Sequence, residues 1–163
     1  MSKLSFVKIN FVDKISLFFK FFIFVFLTIF LIFLKFFLQL FIKSASKKII
    51  QIFHKLLLWL ININVEVVGK SNLNNVPKLY VSNHLSYLDI PVLGSIVKGR
   101  FIAKEEISKW PIIGYLSKVG NTIFINRNLR FLRTNKSIIF DHISRGDNII
   151  LFPEGTTLSL IHI

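Results

Sequence analysis

The stretch that decides the fold is Leu79-Tyr80-Val81-Ser82-Asn83-His84-Leu85-Ser86-Tyr87-Leu88-Asp89-Ile90-Pro91. It begins with a few residues typical of a β-strand and ends with residues typical of the start of a helix. Ser86-x-x-Asp89 has the form of a capping box, and Pro91 is tolerated in a helix only within the first turn. The stretch therefore predicts a strand, a loop and a helix start, the junction at which α/β sheets place their sites.

From Asn64 onward, short segments of strand type alternate with segments of helix type. This alternation predicts an α/β domain with a mainly parallel sheet and flanking helices. Strands are predicted at Val65–Val68, Leu79–Ser82, Arg100–Ala103, Thr122–Ile125 and Asn148–Phe152. Helices are predicted at Tyr87–Val97, Ile112–Lys118 and Asn128–Ser144.

An apolar segment, Ile15–Ile42, precedes this domain. Its uninterrupted core, Phe21–Leu34, is 14 residues, or about 21 Å of helix, which is shorter than the roughly 30 Å of bilayer hydrocarbon. A helix lying in the membrane interface needs a polar stripe, whereas a spanning helix would need its lysines to snorkel. Both arrangements stay open. The polar residues that share one helical face are Lys20, Thr28, Lys35, Gln39 and Lys43.

A second amphipathic helix is predicted at Ser46–Leu60. His54 falls in its polar stripe and is predicted to be a solvated surface histidine. The other members of that stripe are Lys47, Lys48, Gln51 and Lys55. Residues 1–61 are therefore predicted to form a membrane-associating helical region, and residues 62–163 to form the α/β domain.

The amino-acid composition of the chain limits which binding partners are expected. Hydrophobic residues make up 53% of the chain, and 21 Lys and Arg against 8 Asp and Glu give a formal net charge of +13. An apolar and basic chain suits anionic lipid headgroups. Nucleic acid is the rival partner for such a charge, but the basic residues are scattered through apolar segments and no nucleic-acid motif is present. The chain has no cysteine, which excludes disulfides, thiolate catalysis and cysteine-bound metals.

His84 and Asp89 are the first candidates for catalysis. Residues five apart on one helix are separated by about 140°, so the two side chains can meet only if His84 lies in the loop and Asp89 in the first helical turn. Asp89 would then hold one imidazole nitrogen and leave the other to accept a proton from a hydroxyl. Alternatively, Asp89 is only a helix cap and His84 an ordinary loop histidine. No serine or cysteine elbow motif is present, so direct attack by a substrate hydroxyl is the simpler mechanism.

A second candidate is the turn Phe152-Pro153-Glu154-Gly155-Thr156-Thr157, which follows a predicted strand. Gly155 allows a tight turn whose backbone N–H groups suit an anion, and Glu154 can accept hydrogen bonds from a polyol. An ordinary strand-to-loop turn is the alternative.

Two basic residues are candidates for binding phosphate. Arg127 follows a predicted strand and offers a planar guanidinium that fits phosphate. Lys104 is the other candidate, and a surface ion pair with a nearby glutamate is its alternative role.

Together these segments resemble a known family. Asn83, His84 and Asp89 match the NH-x4-D motif of the glycerolipid acyltransferases typified by 1-acyl-sn-glycerol-3-phosphate acyltransferase, and Phe152–Thr156 matches their third block. The resemblance runs from about residue 65 to 157, with every block in order.

Two further segments support the resemblance. Gly120–Arg127 is similar to the second block of the family, which usually has Asp where this chain has Asn126. Ala103–Glu106, with Pro111 and Gly114, is similar to the segment between the first two blocks.

The resemblance implies transfer of a fatty acyl group from acyl-CoA or acyl carrier protein to lysophosphatidic acid, giving phosphatidic acid. His84 would be the general base and Asp89 would orient it. Arg127 with Lys104 would bind the acceptor phosphate, and the turn residues Glu154, Gly155 and Thr156 would bind its glycerol and phosphate region. The thioester brings its own leaving group, so neither a metal nor another cofactor is expected.

The location implied is the membrane, at the cytoplasmic face of the plasma membrane, where membrane lipids are the partners. Another lysophospholipid or a lyso-aminolipid is the alternative acceptor. Family members continue to a fourth motif, whereas this sequence stops at Ile163. The chain is therefore expected to lack the C-terminal part of the domain, and an inactive membrane-binding remnant is the second alternative.

Overall fold

The structure is a computed structural model that describes residues 11–39, 45–73, 76–126 and 132–153. The helices are α1 (Phe11–Gln39), α2 (Ala45–Leu60), α3 (Asp89–Ile96), α4 (Ile113–Val119) and α5 (Leu132–Ser144). The strands are β1 (Leu79–Val81), β2 (Gly99–Lys104), β3 (Ile123–Ile125) and β4 (Asn148–Leu151). Two short 3-10 helices lie at Lys70–Asn72 and Glu105–Lys109.

The four strands form one parallel sheet in the order β1-β4-β2-β3. Ile150 of β4 is paired with Tyr80 of β1 on one side and with Phe101 of β2 on the other. The predicted α/β class with a parallel sheet is confirmed. Because parallel strands end at the same edge, the loops that follow all four strands lie along one edge of the sheet.

The core is built on the central strand β4. Ile149 and Ile150 are fully buried, as expected for a parallel strand covered on both faces. Ile149 packs with Ile102 of β2 and Ile123 of β3, and α5 covers this cluster. The α5 residues in contact with it are Ile138, Ile139 and Ile143.

The predicted strand Val65–Val68 is wrong, because this segment has no regular secondary structure. Its β-branched composition favours an extended chain, but a strand needs a neighbour for its backbone N–H and C=O groups. Within the described residues, β1 pairs only with β4, and residues 65–68 pair with no strand.

The two N-terminal helices pack on the α/β domain. Gln51 of α2 donates hydrogen bonds of 3.0 and 3.1 Å to the carbonyl oxygens of Ser95 and Ile96, at the end of α3. Lys35 of α1 is buried, and its amine donates to the carbonyl oxygen of Val119 and, at 3.2 Å, to Asn121 Oδ1. Part of the predicted polar stripe of α1 therefore contacts the α/β domain.

The opposite side of α1 is an exposed apolar surface. One helix, Ile15–Gln39, is long and apolar enough to cross a membrane by length and composition. All residues from 15 to 23 are exposed, whereas Leu31 and Lys35 are buried. The exposed phenylalanines of this helix are Phe18, Phe19, Phe21, Phe22, Phe26, Phe30, Phe33, Phe36 and Phe37.

Candidate active site

The junction after β1 has the predicted form of strand, loop and helix start. His84 lies in the loop, and Asp89 is the first residue of α3. His84 Nδ1 is 3.0 Å from Asp89 Oδ2. The same oxygen accepts hydrogen bonds from the backbone N–H groups of Leu85, at 2.7 Å, and Ser86, at 2.9 Å. The carboxylate therefore holds the loop before α3 and contacts the histidine. The predicted capping box is wrong, because Leu88 precedes the helix and no side chain caps it by a hydrogen bond.

These contacts set the charge of Asp89 and the tautomer of His84. Burial raises the pKa of Asp89, but the hydrogen bonds from Ser86, His84 and Leu85 outweigh it and hold the pKa below its ordinary value. Asp89 is therefore ionised at neutral pH and can only accept hydrogen bonds. For this hydrogen bond to form, His84 must carry a proton on Nδ1, so Nε2 is the nitrogen that bears the lone pair of the neutral ring.

Phe152 connects the two segments that the sequence singles out. It directly follows β4 and stacks on the His84 ring, with centroids 4.1 Å apart and planes 17° apart. Phe101 of β2 stacks in turn on Phe152, with centroids 6.1 Å apart. The imidazole is buried, held by Asp89 at one nitrogen and by Phe152 across its face.

A cavity of about 790 Å³ adjoins this histidine, within the usual range of ligand pockets. His84 and Phe152 line it at the sheet edge, and α1 lines it through apolar residues such as Leu31 and Ile32. Most of its lining is apolar, as a fatty acyl chain requires. The candidate base His84 therefore lines an apolar cavity. The same cavity is lined by α1, the helix with the exposed phenylalanines.

Lys104 is the last residue of β2 and lines the same cavity as His84. No ion pair within the described residues involves Lys104, which removes support for the alternative of a glutamate pair. Its contact with an acceptor phosphate stays a prediction.

Four of the predicted site residues lie outside the described residues: Arg127, Glu154, Gly155 and Thr156. Their neighbours on the chain are described. Asn126 follows β3 and Phe152 follows β4, both at the carboxyl edge of the sheet. Asn126 Nδ2 donates to Glu105 Oε2 at 3.1 Å. An aspartate at this position would set two carboxylates against each other, which is a physical reason for the amide in this chain.

His54 was predicted to be a solvated surface residue, and this prediction is wrong. The side chain is 8% exposed and lines the cavity. Burial lowers its pKa to about 4, against a smaller opposing effect of the Gly94 backbone. The Nδ1 edge of the ring lies against Gly94, where a Cβ would come within 2.1 Å. The helical periodicity of α2 gives no sign of this contact, because the polar face of α2 turns toward α3.

A second cluster, absent from the predicted site residues, lies at the opposite edge of the sheet. Asp147, just before β4, is buried and binds two cations and a histidine from three elements. Its carboxylate contacts Lys47 Nζ at 2.5 Å, Arg100 Nε at 2.7 Å and His142 Nδ1 at 2.9 Å. Burial raises the pKa of Asp147, but the hydrogen bonds from Lys47, His142 and Arg100 outweigh it and lower the pKa to about 2. The His142-x4-Asp147 spacing was available as a signal.

Comparison with known proteins identifies the class of this domain as an acyltransferase. A family model for acyltransferases matches residues 64–160, more than half of the chain, and this chain belongs to that family. Its similarity to lyso-ornithine lipid O-acyltransferase of Pseudomonas aeruginosa is 40% identity over 81 residues, which covers 50% of this chain and 31% of that protein.

Two further similar proteins are named as acyltransferases of 1-acyl-sn-glycerol-3-phosphate. The chain is 33% identical over 118 residues to 1-acyl-sn-glycerol-3-phosphate acyltransferase of Neisseria gonorrhoeae, covering 72% of this chain and 46% of that protein. The crystal structure of the 1-acyl-sn-glycerophosphate acyltransferase PlsC from Thermotoga maritima matches with a TM-score of 0.64 at 30% identity, covering 88% of this chain and 60% of that chain. The chain thus spans less than half the length of the curated relatives it matches.

Proposed function

We propose that this chain carries the catalytic pair of an enzyme that transfers a fatty acyl group from acyl-CoA or acyl carrier protein to the free hydroxyl of lysophosphatidic acid, giving phosphatidic acid. The observation that carries the proposal is the His84–Asp89 contact, whose histidine lines an apolar cavity. The family match and the names of the relatives support it.

We assign the role of base in this reaction to His84. His84 Nε2 removes the proton of the acceptor hydroxyl as its oxygen attacks the thioester carbonyl carbon. Asp89 stabilises the imidazolium that forms, since its carboxylate faces Nδ1–H. The tetrahedral intermediate breaks its C–S bond, and the leaving thiolate takes the proton back from His84. The ester and a free thiol are the products, and the histidine returns to its starting state.

The acceptor phosphate is assigned to basic residues at the same sheet edge. Lys104 lines the cavity of His84, and Arg127 directly follows Asn126 in sequence. Glu154, Gly155 and Thr156, which follow Phe152 and Pro153 in sequence, are assigned to the glycerol and phosphate region. These roles rest on the resemblance of the blocks to those of the family.

A lyso-ornithine lipid is the second candidate acceptor, since one relative with that activity is 40% identical over 81 residues. An ornithine headgroup offers an amine and a carboxylate, whereas lysophosphatidic acid offers a phosphate. Acylation of both acceptors, with acyl-CoA and with acyl carrier protein as donor, separates the two by mass spectrometry of the products. Product from lysophosphatidic acid alone supports the first assignment, and product from the ornithine lipid alone overturns it.

We further assign α1 to the membrane interface rather than to a full span. Its C-terminal half is held to the α/β domain through Lys35, and it lines the cavity from Phe24 onward. The part of α1 before Phe24, residues 11–23, is about 20 Å long, which is short of the roughly 30 Å of hydrocarbon. The cytoplasmic face follows as part of the proposal, because both acyl donors are cytoplasmic.

A further inference from the structure

A second apolar surface lies outside α1, on the segment Trp110–Tyr115. This segment joins the 3-10 helix Glu105–Lys109 to α4 and holds no charged residue. Ile112 is 75% exposed and Trp110 is 47% exposed, and Ile113 and Tyr115 are also exposed. Isolated exposed apolar residues are common, but four within six residues form a patch.

The backbone of this segment holds Ile112 in a strained shape. Ile112 has φ 60° and ψ −66°, and the Ile113 N–H donates to the Pro111 carbonyl oxygen at 2.6 Å. These values define the rare form of the γ-turn. A positive φ is unfavourable for a β-branched residue, so a glycine or an asparagine is the residue expected at such a turn.

The turn is fixed by its surroundings. A Cβ at Gly114 would lie 2.7 Å from the carbonyl oxygens of Ile107 and Ser108, so α4 begins in tight contact with the preceding 3-10 helix. The Gly114 N–H also donates to the Trp110 carbonyl oxygen at 3.0 Å. Neither conformational preference nor internal packing accounts for an isoleucine at position 112, since that side chain is strained and mostly exposed.

The surroundings of the patch indicate what covers it. Trp110 and Ile113 line the same cavity as Leu31 and Ile32 of α1, so the patch and the helix that we assign to the bilayer border one cavity. Tryptophan and tyrosine are the residues that favour the membrane interface. Exposed lysines, Lys109 and Lys118, flank the segment and suit anionic headgroups, and the exposed Glu105 and Glu106 lie further from it in the 3-10 helix.

We propose that the Trp110–Tyr115 segment is a second membrane contact, which inserts Ile112 and Trp110 into the interface beside α1. This inference rests on the proposed membrane placement of α1. The strained turn projects the apolar side chains outward, and the two contacts together set the mouth of the cavity at the bilayer surface.

Fluorescence of Trp110 tests the contact directly. The chain has two tryptophans, so Trp59→Phe leaves Trp110 as the single reporter. With vesicles of phosphatidylcholine and phosphatidylglycerol, we expect a blue shift and quenching by bromine atoms on the lipid chains. Flotation of the same sample reports binding through α1. A protein that floats without quenching of Trp110 overturns the second contact alone, and one that does not float overturns the membrane placement as well.

A pair of variants separates a membrane role from a folding role. Ile112→Gly removes the side chain and relieves the turn, so we expect an equal or higher unfolding temperature together with about tenfold weaker vesicle partition. Phe140→Ala, at an exposed α5 residue of similar exposure (73%), is the control and should leave partition unchanged. Equal partition of wild type and Ile112→Gly contradicts the proposal. So does a concentration-dependent dimer that Ile112→Gly abolishes, since the patch would then bind a second copy.

Discussion

His84 Nδ1 lies 3.0 Å from Asp89 Oδ2, and the same carboxylate oxygen accepts two backbone N–H groups of the loop between them. The group that starts α3 therefore also fixes the tautomer of the candidate base. The motif couples the local fold to the chemistry, because a change at Asp89 disturbs both.

A second pair with the same spacing and geometry occurs in this chain. His142 Nδ1 lies 2.9 Å from Asp147 Oδ2. Asp147 also binds Arg100 and Lys47, and it lies before β4, at the amino edge of the sheet. His142 does not line the cavity of His84. Spacing and hydrogen bonding do not by themselves make a histidine catalytic, and the second pair provides a matched control inside the same molecule.

Asp89→Asn tests the orienting role. The amide removes the negative charge that stabilises the imidazolium, so we expect the rate of acyl transfer to fall by about 10²–10⁴-fold. Loss of the charge that accepts the Leu85 and Ser86 N–H groups should lower the free energy of unfolding by about 1 kcal/mol. Rates from steady-state assays and urea unfolding curves give the two effects. A variant that loses stability but keeps its rate would show that Asp89 only holds the loop.

Asp147 should make stability depend on acid pH. Its folded pKa is lowered to about 2 from an ordinary value of 3.8, so the stabilisation is present above pH 4 and is lost as the pH falls toward 2. Asp147→Asn should be less stable than wild type by about 2 kcal/mol at pH 7. Urea unfolding at a series of pH values should show this difference closing between pH 4 and 2. A difference that stays constant across the series would contradict the assignment.

Gly94 should tolerate no side chain while His54 is present. A Cβ at Gly94 would come within 2.1 Å of His54 Nδ1, so Gly94→Ala should lower the free energy of unfolding by about 1–3 kcal/mol. In the double variant Gly94→Ala/His54→Ala, the clash is absent and part of the loss should be recovered. Unfolding curves of the two single variants and the double variant give the coupling. Strictly additive effects would mean that α2 and α3 do not approach each other as described.

Lys35 should hold α1 on the domain. Its amine donates to Val119 and Asn121 near the end of α4, and replacing it with methionine removes both hydrogen bonds, at a cost of about 1–3 kcal/mol. We expect faster hydrogen exchange of α1 amides in Lys35→Met, with little change in β4. Unchanged exchange of α1 would show that the contact does not stabilise the docked helix.

Much of the fold could be predicted because the local signals agree with the tertiary structure. The four described strands lie within one residue of their predicted bounds. The His84–Asp89 contact was predictable because the two side chains cannot meet within one regular helix. The strand predicted at Val65–Val68 fails because pairing, unlike propensity, depends on a neighbour that the local sequence does not specify.

The errors on α2 have a different cause. Periodicity separates the polar face from the apolar face, but it does not tell which face meets the rest of the protein. Gln51 and His54 pack against α3, whereas Ile52 and Trp59 are exposed on the same helix. The Asp147 cluster was missed for a similar reason, since Lys47 and Arg100 are far from Asp147 in sequence and meet it only in the folded chain.

Acyl transfer to lysophosphatidic acid by His84→Ala beside His142→Ala is the sharpest test of the proposed base. Both variants remove a histidine whose Nδ1 faces a carboxylate five residues later. We expect His84→Ala to lose transfer while still floating with vesicles, and His142→Ala, when folded, to keep transfer within a few-fold of wild type. Transfer by His84→Ala at the wild-type rate would show that His84 is not the base.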